Sequence, residues 1–336
     1  ASLGFGSALF VKDLMRKPVS GPEIRIIATP EAPIPVDKAH IVINILYIEF
    51  YIRISLKYIM IIWLASYPKS GNTWLRMFLK SYFLKPGEKF GLENSRLDNF
   101  KSQGFPDQEI LDHLKVDYNK FEEIAKNWEA MQDYINLNNK TNYVKTHNAM
   151  CTVGSFKFTT PRNTKGAIYL VRDPRDVLVS LAHHDGYDFE QTFEYLSSSY
   201  NFEYPLSGGK RYKKTLMGNW ADHYKSWKNF KSCKTLIVKY EDMVLDESNT
   251  FKKIINYLTE IDGTVFSEEK LHKALKQTQF KELQKMERAD GFSEKGKGEF
   301  FFRKGKIGGW KNDLSGDLVK KIEKVFYKEM VELGYL

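Results

Sequence analysis

The segment from Trp63 to Trp74 constrains the fold of this chain more than any other. The apolar run over residues 59–64 predicts a buried strand, a Pro-Lys-Ser-Gly turn follows, and the residues from Thr73 onward have a helical pattern. A strand, a glycine-containing loop and a helix N-terminus together surround an anion with backbone N–H groups and the positive end of the helix dipole. Lys69 adds a positive charge, and Ser70 and Thr73 add hydroxyl donors. The segment therefore predicts a binding site for a phosphate or sulfate group.

The order of residues in this loop differs from that of an ordinary Walker A motif. That motif places its lysine after the last glycine, whereas Lys69 precedes Gly71. A chance strand–turn–helix with an exposed lysine is the alternative that the loop alone leaves open. The order P-K-S-G-x-T-W directly after a strand resembles the 5′-phosphosulfate loop of the cytosolic-type sulfotransferases, which use 3′-phosphoadenosine 5′-phosphosulfate (PAPS). The resemblance implies that the 5′ end of the nucleotide is bound by Lys69, Ser70, Gly71, Asn72 and Thr73, with Trp74 against the adenine.

The composition suits an anionic ligand. The chain has a formal net charge of +9 and a hydrophobic content of 42% over 336 residues, which is ample for a core. Its basic residues are mostly Lys and form no block of five or more, whereas base readout and bidentate phosphate contacts favour Arg, so we expect no nucleic-acid partner. Cys151 and Cys233 have neither metal-ligand spacing nor the pattern of a disulfide framework. We therefore expect a reduced, cytoplasmic protein.

Residues 1–59 differ in pattern from the rest. Residues 41–64 are strongly apolar, but Glu49, Arg53 and Lys57 interrupt them at four-residue spacing. A membrane span needs about 20 predominantly apolar residues, and each charge near its centre costs roughly 2.5–3.5 kcal/mol on insertion. We expect residues 1–59 to be a non-native extension or to contain a surface helix, with a signal anchor as the alternative. The functional domain is expected to span residues 60–336, without a membrane partner.

Strand-like and helical segments alternate along the remainder. Apolar strand patterns lie at 143–147, 166–172 and 235–240, and helical patterns at 72–84, 119–137, 174–184, 218–231, 248–259 and 314–333. Strands separated by helices form a mostly parallel sheet covered on both faces, and ligands bind at the carboxyl ends of its strands. The sequence therefore predicts a single-domain, P-loop-like α/β protein with three α/β/α layers.

A second motif follows the strand at 166–172. The strand delivers Arg172 to its carboxyl end, Pro174 is suited to the first position of a helix, and Ser180 lies about two turns further on. The segment resembles the R-[DN]-P-x-D-x-x-x-S motif of the sulfotransferases, which implies that Arg172 and Ser180 bind the 3′-phosphate. The alternative is a salt bridge from Arg172 to Asp173 or Asp176.

A third motif begins at Arg303. Cations and glycines alternate in R-K-G-K-I-G-G-W-K-N, a composition that suits a loop wrapped around a phosphate. It resembles the family signature R-K-G-x-x-G-D-W-K-N, which implies that Arg303, Lys304 and Gly305 also contact the 3′-phosphate; a generic surface loop is the alternative. Gly309 replaces the usual Asp, so the sequence does not show how this loop is anchored.

The catalytic candidates lie at the end of the strand at 143–147. Histidine has an unperturbed pKa of ~6.5 and can accept a proton near neutral pH, although a lone histidine is more often structural. The segment Lys145-Thr146-His147 resembles the family's K-T-H motif. The resemblance implies that His147 takes the proton of the acceptor, that Lys145 lies near the transferred sulfonate, and that Lys69 donates to the bridging oxygen.

Weaker matches extend the resemblance. It implies that Phe280 forms the second wall of the adenine site, that Thr278 also contacts the adenine, and that Tyr240 packs near the nucleotide; Trp74 and Phe280 by themselves would be assigned to the core. The family's dimer segment K-x-x-x-T-V-x-x-x-E is not reproduced after Trp310, so the oligomeric state is open.

The matches run in family order from Trp63 to Asn312. They imply a sulfotransferase that transfers a sulfuryl group from PAPS to a hydroxyl or amine of a small molecule, releases PAP and needs no metal. An ATP-dependent P-loop kinase and a non-catalytic protein that binds PAP or polyanions remain as alternatives. The acceptor is not predicted; its pocket is expected in residues 85–118, 148–163 and 184–217, which supply Phe90, Phe100, Phe105, Phe156, Phe158, Tyr187, Phe189, Tyr195, Tyr200, Phe202 and Tyr204.

Overall fold

A five-stranded parallel sheet organises the chain. The computed structural model describes residues 60–92, 100–203, 206–207, 210–211 and 214–336, and all of them fall in one compact unit. The strands of the sheet are β1 (Ile61–Ser66), β2 (Phe100–Phe105), β3 (Asn142–Thr146), β6 (Thr164–Val171) and β11 (Lys234–Lys239). They lie in the order β11-β6-β1-β3-β2, and each neighbouring pair is parallel. Shorter strands form two-residue hairpin ladders: β4 (Thr152–Val153), β5 (Phe156–Lys157), β7 (Phe202–Glu203), β8 (Leu206–Ser207), β9 (Lys210–Arg211) and β10 (Thr215–Leu216).

Helices cover both faces of this sheet. In chain order the described residues form α1 (Asn72–Phe83), α2 (Gln108–His113), α3 (Phe121–Lys126), α4 (Trp128–Asn136), α5 (Pro174–Asp185), α6 (Phe189–Ser197), α7 (Trp220–Lys228), α8 (Tyr240–Leu245), α9 (Glu247–Asp262), α10 (Glu268–Gln277), α11 (Phe280–Asp290), α12 (Trp310–Asp313), α13 (Gly316–Val325) and α14 (Tyr327–Glu332).

Strand β1 shows why the strands are apolar runs rather than alternating patterns. Its Ile61, Trp63 and Ala65 belong to one hydrophobic core with α4, α5, α7 and α13. Its Ile62 and Leu64 belong to a second core, with α1, α9 and α10, on the opposite face. A strand buried on both faces needs apolar side chains at every position. The predicted three-layer α/β/α fold with a parallel sheet is thereby confirmed.

Several element boundaries differ from the predicted ones. The helical pattern at 119–137 forms two helices that meet at Asn127, and the one at 314–333 breaks at Phe326. The sequence patterns missed the edge strand β2, the two-residue strands, and the helices α2, α6, α8, α10, α11 and α12. The predictions for residues 1–59 lie outside the described residues. Within the described part of the chain, none of the helices has the length and apolar character needed to cross a bilayer.

Parallel pairing brings the ends of four strands to one edge of the sheet. Ala65 of β1 pairs with Thr146 of β3, and Ser66 pairs with Leu170 of β6. Lys239, the last residue of β11, pairs with Val171. The residues that follow these strands therefore lie side by side, and every motif of the sequence analysis that follows a strand of this sheet meets at that edge.

Candidate active site

The loop between β1 and α1 has the backbone of an anion site. Lys69 and Gly71 have φ angles of 66° and 96°, a left-handed conformation that turns successive N–H groups toward a common point. A Cβ at Gly71 would lie 2.7 Å from Cδ2 of Tyr240, so glycine is required there for space as well as for conformation. Helix α1 has no side-chain cap and no acidic residue in its first turn, which leaves its N-terminal N–H groups for a ligand.

The side chain of Asn72 anchors this loop rather than facing a ligand. Its Nδ2 donates to the Leu64 carbonyl at 2.8 Å, and its Oδ1 accepts from Nε of Arg76 at 2.9 Å. Ser70 is fully buried, does not line the cavity, and its Oγ has no hydrogen-bond partner among the described residues. Both residues were predicted to bind the nucleotide. Because the Asn72 side chain is used within the protein, only its backbone is available to a ligand.

Lys69 lies under an aromatic cover. Its Nζ is 4.0 Å from the ring centroid of Phe301. Burial lowers the pKa of Lys69 to about 8, although the carboxylates of Asp185 and Glu294 oppose the shift. The ammonium is therefore mostly protonated at neutral pH yet close enough to its pKa to release a proton.

His147 is held as a neutral base. Its Nδ1 lies 2.7 Å from the Ser66 carbonyl oxygen, and since a carbonyl only accepts, Nδ1 carries the proton and Nε2 is the acceptor. Burial, reinforced by the nearby charge of Lys145, lowers the pKa of His147 to about 4. His223 of α7 lies behind it, with Nε2 3.0 Å from the His147 carbonyl oxygen, so this helix fixes the backbone of the predicted base.

The carboxylate of Glu294 contacts the first turn of α1 and Lys145, and no motif predicted it. Its Oε2 accepts from Thr73 Oγ1 at 3.0 Å, its Oε1 from Arg76 Nη2 at 2.6 Å, and Lys145 Nζ lies 3.5 Å from Oε2. Burial alone would raise the pKa of Glu294, but Arg76 and Lys145 hold it well below its usual range. The carboxylate is therefore ionised at any physiological pH.

Arg172 connects the two ends of the site. Its guanidinium stacks on the Tyr240 ring at 4.3 Å and donates to the carbonyls of Lys69 and Lys306, both at 3.1 Å. The alternative of a salt bridge from Arg172 to the adjacent aspartates is wrong. Asp173 pairs with Arg175 at 2.7 Å, and Asp176 accepts from backbone N–H groups of the 303–312 loop. The buried Nε of Arg172 has no partner among the described residues.

The carboxylate of Asp176 anchors the 303–312 loop, in which Gly309 stands where the family usually has an aspartate. Its Oδ2 accepts from the Gly308 N–H at 2.7 Å and its Oδ1 from the Trp310 N–H at 3.1 Å. Gly305 has a φ of 60°, and a Cβ there would lie 2.5 Å from the Phe280 ring. The loop thus lies directly against a predicted adenine-binding ring.

These elements enclose one cavity of about 570 Å³. Predicted residues that line it are Lys69, Gly71, Asn72, Thr73, Trp74, Lys145, His147, Arg172, Ser180, Tyr240, Phe280, Arg303, Lys304 and Gly305. Thr278 is not among the lining residues: it is fully buried, and its Oγ1 donates to the Ala274 carbonyl at 2.8 Å. The geometry therefore gives the Thr278 hydroxyl no contact with a ligand.

The acceptor side of the cavity was predicted least well. Of the aromatic residues named for it, Tyr195 lines the cavity, whereas Phe105, Phe158 and Phe202 pack in the core. Other lining residues that the sequence analysis did not single out are Leu181, His184, Glu203, Met217, Glu294 and Phe301. His184, Glu203 and Met217 lie in the predicted segment 184–217. Leu181, Glu294 and Phe301 come from segments that are distant in sequence, so no local pattern marks them.

At one edge of the parallel sheet the structure thus combines an anion loop, a basic glycine-containing loop and a neutral histidine. Residues 61–334 match the family model of the sulfotransferase domain, and the chain belongs to this family. It is 32% identical over 174 residues to mouse Sulfotransferase 2A1 and 29% identical over 178 residues to human Sulfotransferase 2A1. Each match covers 49% of this chain and 56% of the relative, so the chain spans about half the length of the curated relatives it matches.

A solved structure agrees with the fold. Mouse sulfotransferase SULT7A1, crystallised with PAP, superposes with a TM-score of 0.51 at 20% identity, covering 81% of this chain and 84% of its own. Identity at this level supports the fold alone, so the activity of this chain is argued from its own residues.

Proposed function

We propose that this protein transfers the sulfuryl group of PAPS to a hydroxyl, or an amine, of a small molecule, with His147 as general base and no metal. The observation that carries the proposal is the presence, in one cavity, of an anion loop at the end of β1 and a neutral imidazole at the end of the neighbouring strand β3. An anion-bound leaving group and a proton acceptor are the two groups that an in-line transfer requires.

The residues present fit PAPS. Buried donors without partners among the described residues include Nε1 of Trp74 and Nε of Arg172, and both residues line the cavity. Gly71 and Gly305 lie where the backbone must approach closely. When bound, PAPS would supply an activated sulfonate with a nucleotide leaving group. Lys69 and the α1 N-terminus would hold its 5′ side, Arg172, Ser180, Arg303, Lys304 and Gly305 its 3′-phosphate, and Trp74 and Phe280 its adenine.

The chain's own residues divide the chemistry between them. His147 accepts the acceptor's proton at Nε2 while its Nδ1–H stays on the Ser66 carbonyl, which fixes the tautomer. Lys69, with its pKa of about 8, donates to the oxygen from which the sulfonate departs and so stabilises the charge that develops there. Lys145 supplies a second buried cation near the transferred group.

The acceptor side of the cavity favours a partly apolar molecule. Leu181, Tyr195 and Met217 line it beside His147. A guinea-pig relative, 26% identical over 177 residues, is named 3-alpha-hydroxysteroid sulfotransferase, so sterol hydroxyls belong in the first set of candidates with phenols and aryl amines. Two free, partly buried cysteines are in keeping with the expected reducing, cytoplasmic setting.

Transfer of radiolabelled sulfonate from PAPS to this acceptor set tests the proposal. We expect a labelled product with at least one acceptor, undiminished by EDTA and formed roughly 10²–10⁴-fold more slowly by the H147A variant. Transfer of phosphate from ATP, dependent on Mg²⁺ and without any transfer from PAPS, would replace the sulfotransferase by the kinase alternative. Binding of PAP without turnover of any acceptor would favour a non-catalytic binding protein.

A further inference from the structure

The hydroxyl of Thr73 is already committed in this structure. A hydroxyl has a single proton, and Thr73 gives it to Oε2 of Glu294 at 3.0 Å, since a carboxylate only accepts. The Thr73 oxygen in turn accepts from Arg76 Nη2 at 3.0 Å. Thr73 therefore cannot donate to a phosphate while Glu294 holds this position.

The groups around Glu294 are arranged as they would be around a bound anion. Arg76 Nη2 reaches both carboxylate oxygens, at 2.6 and 2.7 Å, and Lys145 Nζ lies 3.5 Å away. Arg76 is only 1% exposed, and its Nη1 has no partner among the described residues. The buried cations of Arg76 and Lys145 and the hydroxyl of Thr73 thus surround the protein's own Glu294 carboxylate.

This carboxylate lies where the 5′ side of the nucleotide is proposed to bind. Thr73 and Lys145 line the same cavity as Lys69 and His147. An ionised carboxylate and a phosphosulfate that share the same donors would repel each other strongly in a buried site. One of the two must leave the donors when the other occupies them.

The segment that carries Glu294 covers the anion loop. Phe301 lies over Lys69, the Lys297 N–H donates to the His184 carbonyl at 2.8 Å, and Phe292 packs with Phe302 at its base. A Cβ at Gly296 would lie 2.3 Å from the His184 carbonyl oxygen. The segment around Glu294 therefore packs closely against α5 when Glu294 contacts Thr73.

We propose that Glu294 is an internal competitor for the anion site: it accepts the Thr73 hydrogen bond and neutralises Arg76 and Lys145 in the ligand-free protein, and the 5′ group of the nucleotide displaces it and takes Arg76 as a ligand. The inference rests on the proposed function. It adds Arg76 as a nucleotide-binding residue and makes withdrawal of the Glu294 side chain from Thr73 and Arg76 a step of binding. The opposing account is that Glu294 is a permanent support for Arg76.

Binding of PAP and of 3′-AMP, which lacks the 5′-phosphate, separates these accounts. Calorimetric titration of E294Q should show PAP bound about tenfold more tightly than by the wild-type protein, because the competitor's charge is removed, with 3′-AMP unchanged. E299Q, which neutralises an exposed carboxylate of the same segment, should bind both ligands as the wild type does. Weaker or unchanged binding of PAP by E294Q, or equal tightening by E299Q, overturns the inference.

A second variant protects the test against a folding defect. E294Q leaves the buried Arg76 without its counter-ion, whereas E294D keeps the charge and shortens the side chain by one methylene. We expect E294D to tighten PAP binding in the same direction by a smaller factor; weaker binding would identify Glu294 as a support and overturn the inference. A wild-type protein that does not bind PAP contradicts the proposed function and this inference together, whereas tight wild-type binding without an effect of either variant contradicts this inference alone.

Discussion

The two ends of the cavity are built in opposite ways. At the β1 end, Lys69, Lys145 and His147 are removed from water, and burial lowers the pKa of each. At the other end, Arg303 and Lys304 are exposed, and Nζ of Lys304 forms a salt bridge with Oδ2 of Asp313 at 3.0 Å. Proton transfer needs groups whose pKa values are tuned by a dry surrounding, whereas recognition of a phosphate needs only well-placed permanent charge.

The two ends of the cavity also differ in the contacts that hold their functional groups in place. His147 is fixed by the hydrogen bond that its Nδ1–H donates to the Ser66 carbonyl and by the one that its own carbonyl accepts from His223 of α7. The 303–312 loop is fixed by the carboxylate of Asp176, which binds its backbone N–H groups. Substitution of His147 should therefore change the rate, and substitutions around the 303–312 loop should change the affinity.

The largest effect is expected from H147A. Removal of a general base should lower kcat by roughly 10²–10⁴-fold while PAP binding is retained, as measured by steady-state rates and by calorimetry. H184Q, which alters another histidine that lines the cavity, serves as the matched control and should keep most of the activity. Near-full turnover by H147A would remove His147 from the mechanism.

The next largest effect is expected from R172Q. A lost charged hydrogen bond is worth about 1.5–3 kcal/mol, so the affinity for PAP should fall roughly 10- to 100-fold. Binding of 5′-AMP, which lacks the 3′-phosphate, should fall much less. R162Q, the loss of an exposed arginine paired with Asp133, should leave both affinities unchanged, and an equal loss of PAP and 5′-AMP binding by R172Q would contradict its assignment to the 3′ side.

The pH profile of kcat/KM should reflect the pKa values of the buried groups His147 and Lys69. Activity should rise as His147 loses its proton near a pKa of about 4 and fall as Lys69 loses its proton near about 8. Above the second pKa the wild-type rate should drop about tenfold for each pH unit. The K69R variant should lose this alkaline limb because arginine stays charged. An acid limb near the ordinary histidine pKa of ~6.5 would show that His147 is not buried as described.

The smallest effect is expected from D176N. The asparagine keeps one acceptor oxygen, so one of the two bonds to the Gly308 and Trp310 N–H groups is lost. A single such bond is worth about 1 kcal/mol or somewhat more, which corresponds to a several-fold loss of PAP affinity with kcat unchanged. A larger fall in kcat than in affinity would show that the loop also orders the buried end.

The parts of the site that the sequence predicts are those tied to strand ends. Arg172 directly follows the apolar strand β6 and His147 directly follows β3, and a parallel sheet brings such positions together whatever the loops do. The loop at Gly71 is likewise local, because its glycine and the following helix are adjacent in sequence. These features need no knowledge of the tertiary packing.

The parts that the sequence does not predict depend on packing between distant segments. Glu294 reaches Thr73 across 221 positions, and nothing near it in sequence marks the contact. The direction of a side chain is equally non-local: Asn72 turns to the Leu64 carbonyl, and Thr278 turns to its own helix. Phe105 and Phe158 pack with Trp63 in the core, where the loop pattern suggested an acceptor pocket.

Thermal unfolding with PAP, compared with ADP plus Mg²⁺, tests the central claim most directly. A ligand at 100 times its Kd stabilises the folded protein by ~2.7 kcal/mol, and each kcal/mol raises the Tm of a domain of this size by about 2 °C or more. We expect a clear rise of Tm with PAP and little with Mg·ADP, because Arg172 and the 303–305 loop are proposed to bind a 3′-phosphate that ADP lacks. Equal shifts, or a larger one with Mg·ADP, would contradict it.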